Sequence, residues 1–101
     1  MSDQIEQAPP ADLGPAGLEL WNRIVGEFDL APHALSVLEG GCRMADRAQQ
    51  AREIINREGL TTLDNRQNQK EHPAVAIERA SLAALQRALK TLNVDLAMGA
   101  E

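Results

Sequence analysis

The sequence contains very few aromatic residues and almost no cysteine. Of its 101 residues only Trp21 and Phe28 are aromatic, tyrosine is absent, and Cys42 is the single cysteine. One cysteine excludes an internal disulfide framework and a cysteine-based zinc cluster, so we predict that Cys42 is a buried free thiol in a reducing compartment. No apolar run approaches the roughly 20 residues that cross a bilayer, and the first residues lack the pattern of a signal peptide. These absences predict a soluble intracellular protein without membrane contact.

The sequence also lacks the arrangements that carry enzyme chemistry. Its two histidines, His33 and His72, belong to no HExxH or His-Asp-Ser arrangement. Gly40-Gly41 has neither the lysine nor the spacing of a phosphate-binding loop, and no acidic cluster has the pattern of a metal site. We therefore predict no catalytic residue, no metal and no cofactor. His72, which precedes a proline at a helix start, is expected to bond backbone groups there.

What the sequence contains in quantity is alanine, leucine and the polar residues that favour helices. Alanine buries little surface, and burial contributes only about 25 cal/mol per Å² of apolar surface, so a monomer of this length has a thin margin of stability. We therefore expect the chain to self-associate. The prediction is an all-α helical bundle with one long central helix and an optional short β-hairpin, assembled as a homo-oligomer. We expect a disordered arm over 1–13, the helical domain over 14–93 and a short tail over 94–101.

Prolines and glycines divide this domain into three helices. Trp21 lies on the apolar face of the first helix and is predicted to anchor the core, with base stacking as the alternative. In the second helix, Gly40-Gly41 marks a kink or a close helix crossing, and Gly59 ends the helix. Residues 60–71 fit a small hairpin or an irregular loop equally well. The helices are expected at 15–28, 32–58 and 73–92.

The third predicted helix carries a seven-residue repeat of apolar residues, which we call the leucine seam. A seam this regular is a packing surface for another helix. Glu78 occupies one seam position, where an unpaired charge would be costly, so an Arg of a neighbouring helix or chain is its expected partner. The apolar members of the seam are Val75, Leu82, Leu85, Leu89, Leu92 and Leu96. The expected subunit contacts are Glu78, Leu82, Leu85, Leu89 and Leu92.

The net charge of −5 argues against nucleic acid as a partner, but its distribution is uneven. Residues 1–39 carry seven acids against one arginine, whereas residues 40–93 carry nine bases against six acids. Cations in this middle region could neutralise phosphates. The alternative is a solvated face with i,i+4 pairs such as Glu39–Arg43 and Glu53–Arg57. The candidate phosphate contacts are Arg43, Arg47, Arg57, Arg66 and Lys70.

Four segments, taken in order, resemble a known family. They are Trp21 in the first helix, Gly41–Arg47 (GCRMADR), Arg57–Thr61 (REGLT) and His72–Arg79 (HPAVAIER). This ordered set over about residues 17–94 resembles the small terminase subunit of tailed bacteriophages, specifically the P27 family. Members of that family often continue into a basic tail. This chain reads Leu92-Asn93-Val94-Asp95-Leu96 at that point, so a DNA contact through such a tail is expected to be reduced.

The resemblance implies a non-catalytic subunit of viral DNA packaging in the host cytoplasm. It implies a ring-like homo-oligomer that binds viral double-stranded DNA, for which the five cations above are our candidate contacts. It also implies that the chain recruits and regulates the terminase large subunit without cutting DNA itself. The competing interpretation, from the acidic charge and the leucine seam, is a helical protein–protein adaptor or oligomerisation module without nucleic-acid binding.

Overall fold

A computed structural model describes residues 8–93 as three helices and one hairpin. Residues 1–7 of the expected arm, the expected tail and Leu96 of the leucine seam lie outside the described residues. The predicted all-α fold with one long central helix is confirmed, and the hairpin alternative is the correct one. No helix in the described range is long and apolar enough to cross a membrane. The elements are α1 (Pro15–Glu27), α2 (Pro32–Glu58), β1 (Thr61–Leu63), β2 (Gln69–Glu71) and α3 (Pro73–Leu92).

All three helices begin with a proline, where the missing N–H would have no helical partner anyway. Gly14 and Ala31, the residues before α1 and α2, make no side-chain cap. For α1 the cap comes from a distant residue, since the Asp46 carboxylate on α2 accepts hydrogen bonds from the backbone N–H groups of Gly14 and Gly17, both at 2.7 Å. A carboxylate suits this position because helix N-termini carry partial positive charge. Asp46 thereby fixes α1 on α2.

A small core joins the three helices. Trp21, Ile24, Leu38 and Cys42 form a buried cluster, which confirms Trp21 as a core residue. Among the residues packed against this cluster are Leu13, Phe28, Leu35, Leu89 and Leu92. A second buried cluster, towards the hairpin, consists of Ala51, Ile55 and Ala74. Three of the eight buried apolar residues within 8–93 are alanines, so the buried area per residue is small, as the composition predicts.

The predicted close crossing in the second helix lies at Gly41. A Cβ atom on Gly41 would lie 3.2 Å from Cβ of Ala88 and 3.6 Å from Cδ1 of Leu85, both on α3. The neighbouring Gly40 has nothing within 4 Å of its Cβ position. The absence of a side chain at Gly41 therefore lets α2 and α3 approach closely, and Gly40 is not needed for that contact.

The hairpin projects from the end of α2 and returns the chain to α3. Gly59 ends α2 with φ of 93°, a left-handed conformation that favours glycine. The two strands pair antiparallel, with Thr62 opposite Lys70. At the turn, the Asp64 carboxylate accepts hydrogen bonds from the backbone N–H groups of Arg66 and Asn68. These bonds hold the pKa of Asp64 below its usual range. The Asp64 carboxylate is therefore hydrogen-bonded within the turn and stabilises it.

Candidate nucleic-acid interface

The five predicted phosphate contacts lie in two places on the molecule. Arg43 and Arg47 are one turn apart in the middle of α2, whereas Arg57 lies in its last turn. Arg66 lies in the hairpin turn and Lys70 in β2. The last three are therefore grouped around the end of α2 and the hairpin, and all three are exposed.

Arg43 is the candidate with the strongest intramolecular contacts. One terminal guanidinium nitrogen lies 2.7 Å from Oδ2 of Asp12, and the other lies 2.7 Å from Oε2 of Glu39. The predicted Glu39–Arg43 pair is confirmed. The hydrogen bond from Arg43 lowers the pKa of Asp12, and the two carboxylates raise the pKa of Arg43 above its ordinary value, Asp12 contributing most. Arg43 is therefore already neutralised within the chain.

The remaining four candidates are free or weakly paired. Arg57 contacts the adjacent Glu58 at 3.2 Å, whereas Glu53 accepts a hydrogen bond from Gln49, so the predicted Glu53–Arg57 pair does not form. Arg47, Arg66 and Lys70 make no ion pair with any described residue. Arg47 also lines a largely apolar groove of about 250 Å³ between α2 and α3.

His72 connects the hairpin to both neighbouring helices. Its Nδ1 accepts a hydrogen bond from the backbone N–H of Ala74 at 3.0 Å, which caps α3. With Nδ1 as acceptor, the ring hydrogen is on Nε2 and is donated to Glu58 Oε1 at 2.8 Å. This bond, followed by the contact with Arg57, lowers the pKa of Glu58. The predicted backbone-bonding role of His72 is confirmed, and the residue fixes the base of the hairpin.

Glu78, the polar residue of the leucine seam, has its partner within the chain. Nε and a terminal nitrogen of Arg52 on α2 donate to its two carboxylate oxygens, each at 2.8 Å. The Glu78 side chain is only 16% exposed, so this fork-like contact satisfies a charge that would be costly alone. An Arg partner was predicted, but Arg52 itself was missed, because 26 residues separate the two.

The leucine seam is divided between internal packing and solvent. Leu89 and Leu92 pack against the core cluster around Trp21. Leu85 lies against the position of Gly41 on α2. Leu82, by contrast, is 42% exposed, and Ile77, outside the seam, is 46% exposed. Leu85, Leu89 and Leu92 thus pack within the chain, while Leu82 keeps apolar surface exposed.

Cys42 has the properties of a structural residue. Its side chain is fully buried, and desolvation, with smaller contributions from Asp46 and Glu39, raises the pKa of its thiol to about 12. The thiolate is the nucleophilic form of cysteine, so the thiol is inert near neutral pH. Among residues 8–93, no group of three or more His, Cys, Asp or Glu side chains could hold a metal ion.

Comparison with known proteins assigns this arrangement to a family. A family model described as "Phage terminase, small subunit" matches residues 17–97, from the third residue of α1 to beyond the end of α3. No curated protein and no solved structure shows a significant match. The matched range covers most of the chain, including every element of the fold except the first two residues of α1. The chain therefore belongs to the phage terminase small-subunit family.

Proposed function

We propose that this chain is a P27-type, non-catalytic subunit of viral DNA packaging that binds phage double-stranded DNA in the host cytoplasm. In this role it recruits and regulates the terminase large subunit. The observation that carries the DNA-binding proposal is that three of the five candidate phosphate contacts, Arg47, Arg66 and Lys70, are exposed and make no ion pair with any described residue. Family membership supports the packaging role.

The overall acidity of the chain is compatible with this proposal if binding uses several copies. A net charge of −5 disfavours binding of one protomer to arbitrary DNA. In a homo-oligomer, each additional protomer binds the same DNA at a high effective concentration, so weak contacts combine into measurable affinity. Two or three free cations per protomer are then sufficient, and their contribution falls as salt rises.

The first test removes the two free cations of the hairpin. We expect Arg66→Gln/Lys70→Gln to weaken binding to duplex DNA from the cognate packaging region by about tenfold at low salt, since each phosphate contact releases condensed counterions. Fluorescence anisotropy across a salt series measures both affinity and the salt slope. That slope should fall by about 0.9 for each lost phosphate contact.

A matched control carries the same change of charge elsewhere. Arg23 on α1 and Arg87 on α3 are exposed and make no ion pair with a described residue, so Arg23→Gln/Arg87→Gln alters net charge equally. We expect this variant to bind DNA better than the hairpin variant. Equal losses in the two variants would show that net charge alone matters, and a wild-type chain without salt-sensitive binding would reject the DNA-binding proposal.

We also propose a ring-like homo-oligomer in which α3 supplies subunit contacts. The thin protomer core and the exposed apolar side chains support self-association. The predicted contacts were Glu78, Leu82, Leu85, Leu89 and Leu92. Of these, Leu82 has the most exposed apolar surface, since Glu78 pairs with Arg52 and the other leucines pack within the protomer.

A charged residue at Leu82 tests this interface. We expect Leu82→Lys to lower the mass measured by light scattering at micromolar concentration from that of the oligomer to that of the protomer. The far-ultraviolet circular dichroism should not change, because the side chain is 42% exposed. Leu63→Lys, at a 54% exposed position of the hairpin, is the matched control and should leave the mass unchanged. A monomeric wild-type chain, or an oligomer unaffected by Leu82→Lys, would contradict the proposed contact.

The adaptor function remains the second candidate, and the state of Arg43 favours it. Arg43 is one of the five candidate phosphate contacts, and it is already paired with two carboxylates of the chain. Co-purification with the large subunit, combined with the DNA titration above, separates the two functions. An adaptor retains the large subunit and shows no salt-sensitive DNA binding.

A further inference from the structure

The segment before α1, residues 8–14, contacts Arg43, which is one of the candidate phosphate contacts. Asp12 precedes α1, and its carboxylate contacts Arg43, which is 31 residues further along the chain. The residues that directly follow Asp12 hold the segment in this position. Leu13 packs against the core cluster, and Asp46 binds the backbone N–H groups of Gly14 and Gly17. The contacts of these neighbouring residues therefore place the Asp12 carboxylate beside the Arg43 guanidinium.

The two carboxylates on Arg43 differ in how easily they can leave. Glu39 lies one turn before Arg43 on α2 and moves with that helix. Asp12 belongs to a different segment, and its side chain is 68% exposed. Exposed ion pairs are weak and are screened by salt. A phosphate oxygen approaching Arg43 would therefore displace Asp12 more readily than Glu39.

We propose that the segment before α1 is an intramolecular competitor for DNA, in which Asp12 occupies the face of Arg43 that a phosphate would otherwise bind. The inference rests on the DNA-binding role proposed above. Its consequence is that Arg43 contributes to DNA binding only when Asp12 moves away. Moving the segment away from α2 should therefore strengthen DNA binding, and holding the segment on α2 should weaken it.

The local charge explains why Asp12 should weaken phosphate binding at Arg43. With both carboxylates in place, the group formed by Asp12, Glu39 and Arg43 has a net charge of −1, which repels a phosphate. Without Asp12 the group is neutral, and one terminal nitrogen of the guanidinium is free to donate. A phosphate can accept from that nitrogen in the same charge-assisted geometry that Asp12 uses.

The test is a thermodynamic cycle in the full-length chain. We expect Asp12→Asn to tighten binding to duplex DNA from the packaging region by about two- to five-fold at low salt, the range corresponding to loss of one exposed ion pair. The gain should disappear in the Arg43→Gln background, because no guanidinium remains to be released. Glu27→Gln removes the same charge from an exposed residue of α1 that makes no ion pair with a described residue, and it should give a smaller gain.

The outcomes distinguish this inference from the proposed function. If the wild-type chain binds DNA with salt sensitivity but Asp12→Asn binds no more tightly than Glu27→Gln, the competition is rejected and DNA binding stands. A gain that persists with Arg43→Gln also rejects it, because net charge then explains the effect. If none of the variants binds DNA, the proposed DNA-binding role fails and this inference fails with it.

Discussion

We expect Gly17→Ala to lower the free energy of unfolding by about 3 kcal/mol, the opposite of what helix propensity predicts. In a helix interior, alanine is ordinarily favoured over glycine by about 1 kcal/mol. Gly17, however, lies in α1 where that helix touches α2. A Cβ atom at this position would lie 2.6 Å from the backbone oxygen of Cys42 and 2.5 Å from Oδ2 of Asp46.

Neither close contact can be relieved without cost. The Cys42 oxygen belongs to the backbone of α2, so relief requires that the two helices separate, and overpacking of this kind costs about 1–3 kcal/mol. The Asp46 side chain can rotate away, but it then loses its hydrogen bonds to Gly14 and Gly17. Hydrogen bonds to a charged group contribute about 1.5–3 kcal/mol. Both routes weaken the attachment of α1.

Gly40→Ala is the matched control for this prediction. Gly40 lies inside α2 and has nothing within 4 Å of its Cβ position, so alanine should stabilise the chain by about 1 kcal/mol. Urea denaturation followed by circular dichroism, at one fixed protein concentration, measures both variants. A Gly17→Ala chain at least as stable as Gly40→Ala would show that α1 does not pack closely on α2.

Much of the fold could be predicted because its boundaries depend on local chemistry. Proline fixes the first turn of a helix and glycine permits the left-handed conformation at its end, so Pro15, Pro32, Pro73 and Gly59 mark the helices within one residue. The sequence does not decide between a hairpin and a loop at residues 60–71, because the choice depends on contacts beyond those residues. The backbone N–H of His72 donates to the carbonyl of Leu60, and the His72 side chain contacts Glu58.

The ion pairs of the candidate site could be predicted only where both partners lie on one helix. Spacing rules apply to residues three or four apart, and Glu39–Arg43 follows them. Three other carboxylates make polar contacts with partners 26 to 32 residues away in the chain. No periodic pattern connects such positions before the helices are packed. These contacts are Asp12 with Arg43, Asp46 with Gly14 and Gly17, and Arg52 with Glu78.

The leucine seam shows a related limit. A seven-residue repeat identifies an apolar face but does not identify the helix that covers it. Here the protomer itself covers Leu89 and Leu92, because α1 and α2 place Trp21 and Leu38 beside the end of α3. The repeat alone therefore overstates the surface that is free for another chain, and exposure in the fold singles out Leu82.

We expect Leu38→Ala to lower the free energy of unfolding by about 3 kcal/mol, within the range of 2–5 kcal/mol found for buried leucines. Leu38 is completely buried and belongs to the cluster of Trp21, Ile24 and Cys42, which joins α1 to α2. Truncation removes apolar contact and leaves a cavity among side chains that are fixed by two helices. Small domains are stable by only about 5–15 kcal/mol, so this loss is a large fraction of the total.

Leu63→Ala supplies the comparison for Leu38→Ala, because the same atoms are removed from a hairpin side chain that is 54% exposed. Its stability should stay within about 0.5 kcal/mol of the wild type. Both variants must be compared at the same protomer concentration, because self-association stabilises the folded state by mass action. If the two truncations cost the same, the cluster around Trp21 would not be the main source of protomer stability. Contacts between chains would then have to supply it, and unfolding of the wild type would depend strongly on concentration.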